Sequence, residues 1–380
     1  MKILNVNSTL DPVTGGGAAE RTLQLSRAQI QLGLQCNIMT TDVGLAKNKI
    51  PDLINGHIIV YKTLLKRFYV PCVKLSEIRK EVENVDIVHL MGHWSILNAM
   101  VFIACKLAKK PYVVCPAGAL PIFGRSKFLK FIYNCVIGYK IIKNAYAHIA
   151  ITDDERDHFK AYAVERNQVK IISNGVNVSD YVAEDNHSFR ANFGLGSQPF
   201  VLFLGRLNII KGPDLLLEAF AKGQHLWPDW HLVFAGPDGG LQEMLKTTAK
   251  NSSISDRIHF IGYVGGEDKS KAYHAANLMV IPSRQEAMSI VVLESGISGT
   301  PVLLTYQCGF NDVANTGGGM VTDASVESLY SALTVLLKDT SNLKLMGLEL
   351  KKFVQNKYTW DIVVEKYVDL YSKLLNKNTI

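Results

Sequence analysis

Two carboxylates, Glu286 and Glu294, stand eight positions apart in the run SRQEAMSIVVLESG. Glu286 falls in the loop after a strand ending near Ser283, and Glu294 in a helix that starts near Ser289. A helix rises about 1.5 Å per residue, which puts Glu294 roughly 8 Å along it, one hydroxyl-bearing ring away from a phosphate held at the helix start. Carboxylates accept hydrogen bonds from sugar hydroxyls, so the pair suits a sugar carried on a phosphate. Two solvated glutamates are the competing reading. Against it, Ile290 to Leu293 make the segment apolar, and a buried carboxylate requires partners.

Gly205-Arg206-Leu207 with Lys211-Gly212 closes another strand. Two positive charges there would neutralise a pyrophosphate and the further negative charge it gains as a leaving group; the alternative is an exposed basic loop. Gly15-Gly16-Gly17 follows the first strand and precedes a helix beginning near Ala18. Glycines admit close backbone approach, and the amides and dipole of a helix start favour phosphate. A dinucleotide fingerprint running to the acidic Asp42 fits poorly, because Glu20 occupies its third glycine position and the loop is too long. His89 and His93 in DIVHLMGHWS, and Ala117-Gly118 after the next strand, are candidates for a sugar or acceptor site, although a lone histidine is more often structural. Asp153-Asp154-Glu155 resembles an acidic metal motif only superficially; carboxylates between a strand end and a helix read as a cap.

These clusters need elements that bring strand ends together. Short β-type runs at 2–8, 37–41, 57–61, 86–90, 111–115, 147–152 and 169–173 alternate with helical stretches, and the scheme repeats at 199–205, 231–236, 258–262, 278–283 and 301–305. Such alternation predicts two α/β, Rossmann-like, doubly wound domains with parallel sheets, whose ligands gather beyond the carboxyl ends of the strands. Ala19, Leu23 and Ile30, closed by Gly33, give the first helix. The polar, weakly periodic stretch Asp180 to Gln198 reads as the junction, dividing the chain into 1–180 and 181–359. A last helix over 360–380 is free to return to the first domain.

At 380 residues, 48% hydrophobic and 20% charged, the chain exceeds one core and is not a disordered or collagen-like protein. Its N-terminus shows no signal-peptide core, and its most apolar window, Trp94 to Cys105, is too short to span a bilayer. The six scattered cysteines lack zinc-type spacing and read as reduced thiols of a cytoplasmic protein. Residues 1–180 hold 23 Lys/Arg and 14 Asp/Glu, a balance of +9, whereas 181–380 hold 18 and 20, a balance of −2. The basic half points to an anionic partner, a phosphorylated ligand or a membrane surface, and without a reading motif not to nucleic acid. Within it, the segment from Gly124 mixes Arg125, Lys127, Lys130, Lys140 and Lys143 with Phe128, Leu129, Phe131 and Ile132, a composition suited to the inner membrane face, with Lys62, Lys66 and Arg67 adding to it. An amphipathic helix packed on its own sheet is the alternative.

Taken in order, the N-terminal GGG loop, SNGVN at Ser173 to Asn177, LFLGRLNIIKGPDLLLEAF, VFAGPDGG, FIGYV and PSRQEAMSIVVLESGISGTPVLLT make the sequence resemble the retaining glycosyltransferases of family 4. The resemblance implies GT-B architecture, two Rossmann-like domains facing a deep cleft, with the final helix crossing back to the first domain. It implies Arg206 and Lys211 on the donor pyrophosphate, Glu294 on the ribose, and Glu286 on the transferred sugar. It further implies backbone amides of Ser289, Ile290 and Val291 on the phosphate, Gly205 in the donor loop, and Tyr263 and Val264 at the base, with Gly16 and Gly17 closing the site. Ala117 stands where many relatives carry histidine, Ala287-Met288-Ser289 where many have glycines, and Asn177 where aspartate is common.

The expected activity is metal-independent transfer of a hexose-type sugar, with retention, from a UDP- or GDP-sugar to a hydroxyl of a lipid-linked saccharide, in cell-surface polysaccharide or lipopolysaccharide synthesis. No cofactor is expected, since the nucleotide sugar is a substrate. A nicotinamide-dependent oxidoreductase and a catalytically silent membrane-bound binding subunit are the alternatives.

Overall fold

A computed structural model of the chain describes residues 1–45, 53, 55–66, 69–122, 126–182 and 186–377. The chain divides into two compact units, Met1–Gly175 with Trp360–Ile380, and Val176–Thr359.

The first unit is built on a seven-stranded parallel sheet. Across the sheet the strands run His57–Tyr61, Gln35–Thr41, Lys2–Val6, Ile87–Met91, Tyr112–Cys115, Ala147–Ala150 and Val169–Ile171. The central strands are buried along their whole length, which is why they read as near-continuous apolar runs without alternation. In chain order this is 3-2-1-4-5-6-7, so the direction of winding reverses between Lys2–Val6 and Ile87–Met91. A crevice opens beyond the carboxyl ends of two strands related in this way. A small antiparallel hairpin, Thr63–Leu65 with Val70–Pro71, was not legible in the sequence, because strands of three and two residues carry no period.

The first helix spans Pro12–Gln31 and is capped by Asp11, whose carboxylate accepts from the Thr14 amide at 2.8 Å and its hydroxyl at 2.6 Å. The glycine triplet is therefore not a loop ahead of the helix. One helical turn precedes it, and the departure is confined to Gly16, at φ 53 and ψ −138, a conformation that favours glycine. The closing helix, Trp360–Lys377, packs on this first helix within the unit. Arg21 donates to Tyr367 Oη at 2.5 Å and to Cys115 Sγ at 2.9 Å, and Tyr371 Oη lies 2.9 Å from His89 Nδ1.

The second unit carries a six-stranded parallel sheet in the order Ile258–Gly262, His231–Ala235, Phe200–Leu204, Leu278–Ile281, Val302–Thr305 and Gly319–Thr322. Its chain order, 3-2-1-4-5-6, reverses between Phe200–Leu204 and Leu278–Ile281. The sixth strand went unseen in the sequence, since its GMVT is half-buried throughout and lies among glycines. The stretch read as a bare junction is structured: it holds a 3₁₀ turn, Val178–Tyr181, and a helix, Asn186–Asn192, whose Phe189 is buried.

Candidate active site

At the reversal in the second unit, two loops are laced together. The loop after Phe200–Leu204 ends at Gly212, in the left-handed region at φ 69, where a Cβ would fall 2.1 Å from the Pro282 carbonyl oxygen. Only glycine lets this backbone touch the end of the neighbouring strand. Arg284 binds both oxygens of Asp214, at 2.8 and 2.6 Å, and donates to the Ile209 carbonyl at 2.6 Å, while its amide donates to the Ile210 carbonyl at 2.7 Å. A bidentate arginine fixes orientation as well as distance.

This lacing brings candidates from two separate clusters into contact: Lys211 Nζ lies 2.8 Å from Glu286 Oε1, and Ser283 Oγ donates to the same oxygen at 2.5 Å. The Glu286 side chain is 9% exposed, so its charge needs the ammonium beside it. Gly205 and Arg206 stand at the same strand end. There Gly236 approaches so closely that a Cβ on it would meet the Gly205 carbonyl at 1.9 Å, and one on Gly239 would lie 2.7 Å from Arg206 Cγ. The VFAGPDGG segment thus makes room for Arg206.

Ser289 caps the helix Ile290–Ile297, but its hydroxyl makes no capping bond and is buried without a hydrogen-bond partner. The first amides of a helix have no intrahelical acceptors, so Ile290 and Val291 form a donor-rich end beside Glu286, whereas the Ser289 amide expected to join them is taken by the Cys308 carbonyl. The turn behind it is braced: the Glu286 amide donates to Gln307 O at 2.9 Å and the Ser289 amide to Cys308 O at 3.1 Å. Burial pushes the Cys308 thiol up to about 11 and keeps it neutral.

Glu294 is buried, as its apolar neighbours required, and its partners are Lys269 Nζ on Oε1 at 2.6 Å and Tyr273 Oη on Oε2 at 2.7 Å. Neither partner was singled out from the sequence, nor was Arg284. Each lies many positions from the residue it holds, and nothing local marks such a pair. Val264 is buried and Tyr263 exposed, just past the strand Ile258–Gly262.

In the first unit, Gly17 is exposed and Gly16 half-buried at the carboxyl end of Lys2–Val6. His93 lies past Ile87–Met91, 3% exposed, with ring contacts to Trp94, Tyr133 and Tyr162. Its Nε2 lies 2.9 Å from Asn134 Oδ1, and its Nδ1 is buried without a partner. Burial lowers its pKa to about 4, against which the Asn134 hydrogen bond works, so the ring is neutral near pH 7. His89 is fully buried and held well below the ordinary histidine range by burial and by Arg21. Ala117 adopts φ 51 and Gly118 φ 82.

The buried carboxylate of Glu155 fixes that turn by accepting the Gly118 amide at 2.5 Å and the Ile151 amide at 2.7 Å. This corrects the reading of the acidic cluster as a cap. Asp154 precedes the short helix Glu155–His158 without a side-chain capping bond, and Asp153 pairs with Arg156 and Arg166. Among the described residues, no three His, Cys, Asp or Glu side chains gather where they would hold a metal ion. Gly124, Arg125 and Arg67 of the basic segments lie outside the described residues.

Comparison with known proteins then decides the family. The model of glycosyltransferase family 4 matches residues 15–180, and that of glycosyl transferases group 1 matches residues 185–359. The chain belongs to this glycosyltransferase family. A D-inositol 3-phosphate glycosyltransferase of Nocardia farcinica is 31% identical over 250 residues, covering 63% of this chain and 55% of that protein. The chain spans about half the length of the curated relatives it matches. Among solved structures, Anabaena Alr3699/HepE in complex with UDP and glucose gives a TM-score of 0.80 at 17% identity, over 98% of this chain and 99% of that one. Sucrose-phosphate synthase (tll1590) of Thermosynechococcus elongatus gives 0.80 at 19%, over 99% and 100%. These likenesses show the fold of this family 4 chain, which is GT-B.

Proposed function

We propose that this family 4 glycosyltransferase moves a hexose from a UDP- or GDP-sugar to a hydroxyl of a lipid-linked saccharide, retaining the anomeric configuration and using no metal. The observation that carries the donor half is the meeting of Lys211, Glu286 and Ser283 beside a helix start whose buried Ser289 hydroxyl has no protein partner. Diphosphate leaving from a sugar gains charge as the bond breaks, and Arg206, Lys211 and the amides of Ile290 and Val291 answer that charge without an ion. An ammonium has three N–H groups, and Glu286 takes one. Glu286 orients the sugar, and Glu294 accepts the ribose hydroxyls. As the acceptor oxygen bonds to the sugar and the bond to phosphate breaks, the leaving phosphate takes the acceptor proton in a front-side displacement. The complex of Alr3699/HepE with UDP and glucose supports a uridine donor carrying a hexose.

The acceptor half rests on the first unit. Phe128, Phe131 and Val136 are 72, 58 and 66% exposed along the helical stretch that also bears Lys127, Lys140 and Lys143. This face supports attachment to an anionic cytoplasmic leaflet, where a polyprenyl-diphosphate-linked acceptor in polysaccharide or lipopolysaccharide synthesis is displayed. No helix among the described residues is long and apolar enough to cross a membrane. The donor half is tested by thermal shift with UDP, GDP and ADP. One of them is expected to raise the melting temperature of the wild type but not of Arg206→Ala; a shift with NAD alone would sink the proposal.

A further inference from the structure

Glu294 is positioned by two side chains, Lys269 and Tyr273, and the way they hold it decides what it has left to offer. A carboxylate presents about four lone-pair sites. In this chain one site on each oxygen is occupied, Oε1 by the Lys269 ammonium at 2.6 Å and Oε2 by the Tyr273 hydroxyl at 2.7 Å. By that count one acceptor site remains on each oxygen, a number that matches two neighbouring hydroxyls on one ring.

The holders are themselves fixed. Both stand on the helix Glu267–Ala275, four positions apart and so on one face, and that helix packs against Ile290–Ile297. Tyr273 is fully buried, and burial together with the Glu294 charge raises its pKa well above the ordinary range, so it remains a donor. The Lys269 ammonium, 21% exposed, also lies 5.8 Å from the Tyr181 ring centre, and Tyr181 packs on Tyr273 at 6.0 Å between ring centroids. A buried carboxylate needs partners, and Lys269 and Tyr273 supply them and fix its aim.

We infer that Lys269 and Tyr273 are positioning residues that reserve the two free acceptor sites of Glu294 for the vicinal ribose hydroxyls of the donor nucleotide, making the chain selective for ribo- over deoxyribonucleotides. The inference rests on the placing of Glu294 at the ribose in the proposed function. It goes further in assigning the selectivity to a lysine and a tyrosine that act through Glu294.

The test is calorimetric titration of the wild-type chain with UDP, GDP and ADP, taking the tightest binder against its own 2′-deoxy counterpart, followed by Lys269→Met, Lys269→Arg and Tyr273→Phe. Charge-assisted hydrogen bonds set the scale, so the wild type is expected to prefer the ribonucleotide by about tenfold or more. In Lys269→Met the ribonucleotide should weaken by about tenfold while the deoxynucleotide barely changes, collapsing the preference to about twofold. Tyr273→Phe should lower the preference in the same direction, and Lys269→Arg should restore most of it.

Equal weakening of both nucleotides in Lys269→Met, with the preference intact, would show that Lys269 only supports the fold and would overturn the inference while leaving the reading of Glu294 standing. A wild type with no ribo preference, or with no nucleotide bound, would overturn both. Thermal melts of each variant separate lost folding from lost selectivity. If Lys269→Met does not fold, the ratio in Tyr273→Phe decides.

Discussion

Lys211 and Glu286, held 2.8 Å apart, illustrate why charge in this site cannot be judged one residue at a time. Each alone reads as a loop side chain, and only the pairing explains how a carboxyl group is accommodated at 9% exposure. His93 poses the opposite case, a titratable group kept neutral. Asn134 Nδ2 donates to Tyr162 Oη, which lies 3.3 Å from the Leu120 carbonyl, so Asn134 Oδ1 is left to accept from His93 Nε2–H and Nδ1 stays bare. With the folded pKa at about 4 and the unfolded one near 6.5, the unfolded chain binds the extra proton throughout the window between them. Stability therefore rises with pH across that window and is lost as pH falls through it, by about 3 kcal/mol between pH 7.5 and 4. Urea denaturation should show His93→Gln losing about 3 kcal/mol less than the wild type over this range. Parallel losses would contradict the assignment.

At the scale of elements, the site follows from where the sheets reverse. Apolar runs made twelve strands legible, the central ones most plainly, because central strands of a parallel sheet are buried on both faces. The pieces that escaped, the hairpin at Thr63–Leu65 and Val70–Pro71 and the edge strand Gly319–Thr322, are short or half-buried and offered no period. The candidate residues at strand ends were legible for the same reason, whereas Arg284, Lys269 and Tyr273 were not. Arg284 lies 70 positions from Asp214, and Lys269 and Tyr273 lie 25 and 21 positions from Glu294. Such pairs are made by strand order, which spacing does not reveal.

Gly212 is the hinge of the lacing between the two loops. An alanine there meets both the left-handed backbone and the Pro282 carbonyl, at a cost of about 3 kcal/mol. Gly212→Ala should lose that much in denaturant titration, and should weaken nucleotide binding by displacing Lys211 from Glu286. A variant of unchanged stability would show that the contact with Pro282 is not obligatory.

Over the whole molecule, charge is divided unequally, +9 in residues 1–180 and −2 in 181–380. The exposed apolar and basic face at Lys127–Lys143 belongs to the positive part. Sedimentation with anionic vesicles should exceed that with neutral ones, fall with added salt, and drop at least about tenfold when Phe128, Phe131 and Val136 are changed together to serine. Equal binding to both vesicle types would remove the membrane from the account.

The central claim is that the second unit holds a donor whose diphosphate leaves against Lys211 and Arg206. Release of nucleoside diphosphate from UDP- and GDP-hexoses, followed with the wild type and Lys211→Met, tests it most directly. Release is expected from one donor class without added metal, undiminished by chelator, and reduced about a hundredfold or more in Lys211→Met. Release that is equal in the variant, or that stops when chelator is added, would contradict it.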